Sequence, residues 1–141
     1  MRVHHYLKNL IIFTPLIFIS NYQIDQIIIL VESFICFSLT SSIIYIYNDI
    51  KDLKIDRENI ENSKRPLASG VISILHAKYL ISILTFSQIF LLILINNNVL
   101  LLFISLYLLI NLFYTNFLKY LFFVDVVTLS VFFLIRIYLG F

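Results

Sequence analysis

The sequence predicts an all-α integral membrane protein with about five transmembrane helices. Of its 141 residues, 61% are hydrophobic and only 13% are charged, whereas soluble domains are roughly 45–50% apolar and about 25% charged. The apolar residues form long runs and not stripes with a 3.6-residue period, as expected for helices that face lipid or one another on all sides. Each run is close to the ~20 residues that a helix needs to cross a bilayer.

Apolar segments follow one another along the whole chain. They span residues 9–24, 27–47, 76–95, 98–117 and 121–141. Pro15 interrupts the first segment, and its strictly apolar part, from Leu10 to Ile19, is short enough for a tilted or interfacial helix. The only compositional boundary is a polar connector at 48–75, so we expect a single membrane domain.

The basic residues predict how the protein lies in the membrane. All but Arg136 fall before the first segment, in the connector or just after it, or between the fourth and fifth segments. Because cytoplasmic loops carry an excess of lysine and arginine, we expect the N-terminus, the connector and the 117–120 turn in the cytoplasm, beneath the inner membrane of a bacterium. A net charge of +2 gives no indication of a nucleic-acid partner.

The connector concentrates the charge of the chain. Ten of the 18 charged residues lie between Asp49 and Arg65. Asn48, Asp52 and Asp56 recur every four residues, so a helix continuing from the second segment stacks them on one face with about 6 Å of rise between neighbours. Asp49 lies on the flank of that face. Such a column of oxygen ligands suits Mg²⁺, which binds through one or two carboxylates and completes its shell with water and phosphate.

A second interpretation of this spacing is a solvated, charged helix end that only marks the topology. Two features favour the metal site. Asn48 and Asp49 follow directly on the apolar IIYIY at the membrane boundary, where burying a carboxylate is expensive unless something binds it. Lys64 and Arg65 precede Pro66, on a turn that can bring cations back to the acidic face. Carboxylates, metal and cations together predict a diphosphate site.

The string from Asn48 to Gly70 also carries a family resemblance. N-D-x-x-D-x-x-x-D followed by R-P-L-A-S-G resembles the first aspartate-rich motif and the following loop of the UbiA-type membrane prenyltransferase superfamily. The start HHYLKNLIIFTPL, the turn YTNFLK and the stretch DVVTLSVFFLIRIYLG resemble one branch, the polyprenyl-phosphate 5-phosphoribosyltransferases of the decaprenyl-phosphate type. The resemblance implies a helical bundle with a cytoplasm-facing polar cavity, Mg²⁺ as cofactor, and a long isoprenoid lipid substrate between the helices.

The residues and the resemblance together give a candidate site. The expected metal ligands are Asn48, Asp49, Asp52 and Asp56. The expected substrate-binding residues are Lys64, Arg65, Tyr114, Lys119, Asp125 and Arg136. Tyr114 and Lys119 would otherwise be ordinary anchors at the membrane interface. Only the resemblance implies that they bind substrate. Arg136 lies deep in an apolar segment, where a cation either serves a polar cavity or snorkels to the membrane edge.

The resemblance implies a Mg²⁺-dependent transferase, and two reactions stay open. The branch implies phosphoribosyl transfer from phosphoribosyl diphosphate to a polyprenyl phosphate. Prenyl transfer from a polyprenyl diphosphate to an aromatic or other acceptor is the alternative, since both reactions release a diphosphate. No second aspartate-rich motif follows Asp125. We therefore expect the N-terminal half of such a bundle, whose site a second chain completes, or else an inactive fragment or assembly subunit.

Overall fold

The structure is a computed structural model that describes residues 8–14, residue 16 and residues 23–118. All regular secondary structure in these ranges is helical, which confirms the all-α class for this part of the chain. Its α-helices are α1 (Ile24–Lys51), α2 (Leu53–Glu58), α3 (Ile74–Ile95) and α4 (Asn98–Phe113). Shorter turns are the 3₁₀ helices Lys8–Phe13 and Asn62–Lys64 and the π-helical turn Tyr114–Leu118.

Within the part of the chain that the structure describes, three helical stretches are long and apolar enough to cross a membrane, namely α1 with 28 residues, α3 with 22, and Asn98–Phe117 with 20. The protein is therefore an integral membrane protein. The segment predicted at 9–24 begins with the 3₁₀ helix Lys8–Phe13, and α1 begins at Ile24, directly after the capping residue Gln23. The later part of that segment and the segment at 121–141 lie outside the described residues.

α1 is the central helix and packs against α3, α4 and the N-terminal 3₁₀ helix. Half of its most apolar 18-residue stretch is buried inside the protein, against 6% of the corresponding stretch of α3. Among the described residues, most of the buried apolar side chains form one cluster, and its members are Ile12, Leu30, Cys36, Phe37, Ile44, Leu100, Ile104 and Tyr107. α3 therefore leaves most of its surface for lipid or for other helices.

Small polar residues let the neighbours of α1 approach closely. Ser33, Thr40 and Ser41 are almost completely buried. The Thr40 hydroxyl donates to the Cys36 carbonyl oxygen at 2.9 Å, one turn back in the same helix, so its polar group is satisfied without leaving the membrane. The Ser41 hydroxyl lies 3.4 Å from the hydroxyl of Tyr107 on α4.

A tight turn joins α3 to α4. Asn96 ends α3 in the left-handed conformation, at φ 49° and ψ 38°, which asparagine tolerates better than most residues. The Asn97 side chain then accepts hydrogen bonds from the backbone N–H groups of Val99 and Leu100, at 3.0 and 3.1 Å. The two asparagines thus end one helix and cap the next.

α1 and α4 run parallel, and their C-terminal ends meet. Side-chain hydrogen bonds join the two chain segments at a nearly constant sequence offset of 66, 67 and 69 residues. This register brings the polar end of α1, the connector and the π-helical turn to the same end of the bundle. The candidate site lies there.

Candidate functional site

The acidic column lies where α1 passes into the connector. Asp52 separates α1 from α2, with φ −85° and ψ 0°. The backbone N–H of Asp52 donates to the Asn48 carbonyl oxygen, and that of Asp56 to the Asp52 carbonyl oxygen, each at 2.8 Å. The helical i to i−4 pattern therefore continues through the break, and Asn48, Asp52 and Asp56 stay one turn apart.

Asp56 is buried and Arg65 holds it. Asp56 is 3% exposed. Nη1 of Arg65 donates a hydrogen bond to Oδ2 of Asp56 at 2.5 Å. The same nitrogen lies 3.6 Å from Oδ1 of Asp49. A buried carboxylate is stable only with a partner of this kind. A residue predicted to bind phosphate thus lies between two residues predicted to bind metal.

Consecutive turns of the connector bring Arg65 back to the column. Its backbone N–H donates to the Asn62 carbonyl oxygen at 2.9 Å, and its carbonyl oxygen accepts from the Ser69 N–H at 2.8 Å. The Ile72 N–H donates to the Pro66 carbonyl oxygen at 3.0 Å. Gly70 reverses the chain at φ +80°, a conformation that favours glycine. The loop is therefore an ordered part of the site.

A cleft of about 130 Å³ opens between α1, the connector and the start of α3. Asp49 and Arg65 form its polar end. Apolar side chains from all three elements form its walls, among them Tyr45, Ile46, Leu67 and Leu80. Such a cleft suits a ligand with a charged head and a hydrocarbon body.

The π-helical turn contacts the column from the other side. The hydroxyl of Thr115 donates to Oδ1 of Asn48 at 2.7 Å, and the Tyr47 hydroxyl donates to Oδ1 of Asn116 at 3.3 Å. Sequence reasoning assigned no role to Thr115 or Asn116. Their only signal was a position within YTNFLK, and π-helical turns often occur at functional sites.

The other predicted site residues are spread more widely. Asp52 is half-buried at the helix break, Lys64 is exposed at the end of a 3₁₀ turn, and Tyr114 is half-buried at the start of the π-helical turn. Lys119, Asp125 and Arg136 lie outside the described residues. The structure thus brings together Asn48, Asp49, Asp56 and Arg65, and it leaves Lys64 at the surface.

The carboxylates of the acidic column do not form a complete metal cage by themselves. In the described ranges, no three or more side chains of histidine, cysteine, aspartate or glutamate form a group that could hold a metal ion. The protein alone therefore offers no complete cage there. Such a site is compatible with Mg²⁺, because this ion typically binds through one or two carboxylates and takes its remaining ligands from water and substrate phosphates.

A comparison with protein families identifies the family of the chain. The model of the UbiA prenyltransferase family matches residues 9–141, which is nearly the whole chain. The chain belongs to the UbiA prenyltransferase family. The resemblance found in the string from Asn48 to Gly70 is thereby confirmed, and so is the membership in a family of membrane-embedded transferases.

Two relatives of this UbiA family chain are similar over short segments. An uncharacterised protein of Sinorhizobium fredii is 36% identical over 78 residues, which cover 54% of this chain and 15% of that protein. The decaprenyl-phosphate phosphoribosyltransferase of Mycobacterium tuberculosis is 42% identical over 40 residues, 28% of this chain and 13% of that enzyme. The matched segments thus span only a small part of either relative.

Proposed function

We propose that this chain binds the phosphate end of a polyprenyl lipid beside a Mg²⁺-bound diphosphate, as part of a membrane transferase. The observation that supports this proposal most directly is the position of Asp49 and Arg65 at the polar end of an apolar cleft. The lipid tail would lie along Tyr45, Leu67 and Leu80, which are apolar, and its phosphate would lie at the charged end.

Arg65 has the chemistry to bind phosphate while it holds Asp56. A guanidinium carries five N–H donors, and the Asp56 bond uses Nη1. The remaining donors suit the planar, two-pronged recognition of phosphate oxygens. Arg65 would therefore orient the lipid phosphate or the diphosphate without leaving its carboxylate partner.

We propose that Asp49 and Asp52 hold Mg²⁺, with Asn48 as a further oxygen ligand. Oδ1 of Asn48 accepts one hydrogen bond from Thr115, and an amide oxygen has a second lone pair. Bound Mg²⁺ supplies positive charge that stabilises a departing diphosphate. The apolar cleft wall keeps water away from the reacting carbon, which favours transfer to the lipid over hydrolysis.

We propose phosphoribosyl transfer from phosphoribosyl diphosphate to a polyprenyl phosphate, on the cytoplasmic side of a bacterial inner membrane. The similarity to a decaprenyl-phosphate phosphoribosyltransferase supports this choice. A phosphate monoester is already an anion at neutral pH, so it can attack without a dedicated general base. Transfer to an aromatic carbon would instead require help with proton loss.

The test uses the 141-residue chain in lipid nanodiscs. We expect radiolabelled phosphoribosyl diphosphate to bind only in the presence of Mg²⁺, and label to enter the lipid extract when polyprenyl phosphate is added. Leu80→Trp fills the cleft, so it should weaken polyprenyl phosphate binding by about tenfold and leave phosphoribosyl diphosphate binding unchanged. Leu75→Trp is the matched control, because Leu75 is 75% exposed on the same helix.

Other outcomes would point to the other functions. If a polyprenyl diphosphate and an aromatic acid gave product while no lipid-linked label formed, the reaction would be prenyl transfer. Binding of both ligands without product, restored by a second chain, would mark an assembly subunit. If neither ligand bound, the proposed site would be wrong.

A further inference from the structure

We propose that Asp56 is a positioning residue and not a metal ligand. It holds Arg65, and through Arg65 it holds the loop of residues 65–72 (the clamp loop) against the cleft. This inference rests on the proposed function for what the cleft binds, but the clamp itself belongs to the ligand-free protein. It departs from the sequence prediction, which placed Asp56 among the metal ligands.

Asp56 is buried, whereas Asp49 and Asp52 are half-buried. It is 3% exposed, and it does not line the cleft, whereas Asp49 does. Its Oδ2 accepts the 2.5 Å bond from Arg65. A metal ion would have to displace that guanidinium and enter a closed space. Removing one member of a buried ion pair leaves an uncompensated charge, which is strongly destabilising.

Arg65 transmits this constraint to the cleft wall. Its carbonyl oxygen accepts from the Ser69 N–H, and the next carbonyl, of Pro66, accepts from the Ile72 N–H. Leu67, only 7% exposed, follows on the same turn and lines the cleft. Fixing the Arg65 side chain therefore fixes one end of a hydrogen-bonded turn whose apolar residue shapes the cleft.

The assignment changes the charge balance of the site. With Asp56 paired to Arg65, we assign ligand binding to the other two aspartates of the string. Asp49 lines the cleft and also lies 3.6 Å from Arg65, and Asp52 is half-buried one turn further along. That number still suits Mg²⁺, which needs one or two. Asp56, the third member of the four-residue repeat, then contributes order and not coordination.

The deciding experiment is hydrogen exchange of the backbone amides of Ser69, Gly70 and Ile72, in nanodiscs without Mg²⁺ or diphosphate. We expect Asp56→Asn and Arg65→Gln each to raise these exchange rates about tenfold or more, because a hydrogen bond to a charged group contributes on that order. The double variant should exchange no faster than the faster single variant, since both remove the same contact. Glu58→Gln is the matched control, as Glu58 is exposed on the same short helix.

A second measurement separates positioning from coordination. Binding of inorganic pyrophosphate by Asp56→Asn should stay weakened at saturating Mg²⁺ if Arg65 is misplaced, and should recover if a metal ligand was lost. Unchanged exchange in the ligand-free Asp56→Asn protein, or full recovery by Mg²⁺, would overturn the proposal. If the unaltered protein binds no pyrophosphate, the proposed function is wrong. The exchange data still show whether Asp56 holds the clamp loop through Arg65. Should Asp56→Asn lose helix content, Arg65→Lys provides the same exchange test, with a smaller rise expected.

Discussion

The hydroxyl of Thr115 donates a 2.7 Å hydrogen bond to Oδ1 of Asn48, across 67 residues of sequence. Thr115 is 8% exposed, and it belongs to the π-helical turn that follows α4. The bond occupies one of the two lone pairs of that amide oxygen. Thr115 thus couples the end of α4 to the first residue of the aspartate-rich string.

Thr115→Val removes the donor and nearly preserves the shape of the side chain. We expect a loss of about 0.5–1.5 kcal/mol in stability, the usual net contribution of one hydrogen bond, because Asn48 is half-buried and water can replace part of the contact. The measurement is the thermal unfolding midpoint in detergent. Ser105→Ala is the control, because the Ser105 hydroxyl is exposed and bonds only to the Leu102 carbonyl oxygen of its own helix. Equal midpoints for the two variants would contradict the coupling.

Asp52→Asn should uncouple Mg²⁺ from diphosphate. Mg²⁺ and pyrophosphate are expected to bind together far better than either alone, since phosphate oxygens complete the shell of the metal. The variant should reduce pyrophosphate affinity at fixed Mg²⁺ by about tenfold or more, the scale seen when a metal site is disturbed. The control is Asp25→Asn, which alters an exposed carboxylate at the opposite end of α1. Calorimetry measures the pyrophosphate affinity of both variants. The assignment is wrong if the two substitutions have the same effect.

Gln88→Met should stabilise the protein. Gln88 is 6% exposed on α3, and its amide group makes no well-formed hydrogen bond among the described residues, with only the weakly polar Cys36 thiol beside it. Replacing a buried unpaired amide by an apolar side chain of similar volume removes a desolvation penalty on the order of 1–3 kcal/mol. The unfolding midpoint should therefore rise. Gln88→Ala removes the same polar group but leaves a cavity, so its midpoint should be lower than that of Gln88→Met. A fall in the midpoint of Gln88→Met below that of the unaltered protein would show that the amide makes a needed contact.

The distribution of lysine and arginine predicts a cytoplasmic connector. In a Cys36→Ala background, a cysteine in place of Lys54 should react with a membrane-impermeant maleimide only after cell lysis. A cysteine in place of Asn98, at the start of α4, should react in intact cells. Both positions are exposed, so access depends on the side of the membrane. Labelling of position 54 in intact cells would reverse the orientation and remove the site from cytoplasmic substrates.

Composition and the length of the apolar runs were enough to predict the helical class, whereas the metal site stays a prediction. Long apolar runs indicate membrane helices whatever their neighbours are, and the four-residue spacing of Asn48, Asp52 and Asp56 depends only on local helical geometry. The resemblance to the UbiA family rested on the same string, and the family comparison confirmed it.

The contacts within the site could not be predicted in the same way. The pairing of Arg65 with Asp56 depends on how several turns of the connector fold back, and the bond from Thr115 to Asn48 depends on the register of two helices. Neither is a property of local spacing. By charge alone, Lys64 and Arg65 are equivalent. Only the folded connector places Arg65 at the cleft and Lys64 at the surface.

The parallel register of α1 and α4 restricts how a ligand can enter. Sliding one helix along the other by a single turn, about 5.4 Å, would break the contacts of Ser41, Tyr47 and Asn48 with α4 at the same time. We therefore expect these two helices to move as one unit. The loop of residues 65–72 forms the opposite side of the cleft, and its Arg65 side chain lies 3.6 Å from Asp49 of α1. A ligand that needs more room than the cleft offers would therefore have to displace that loop or α3, and not the pair of α1 and α4.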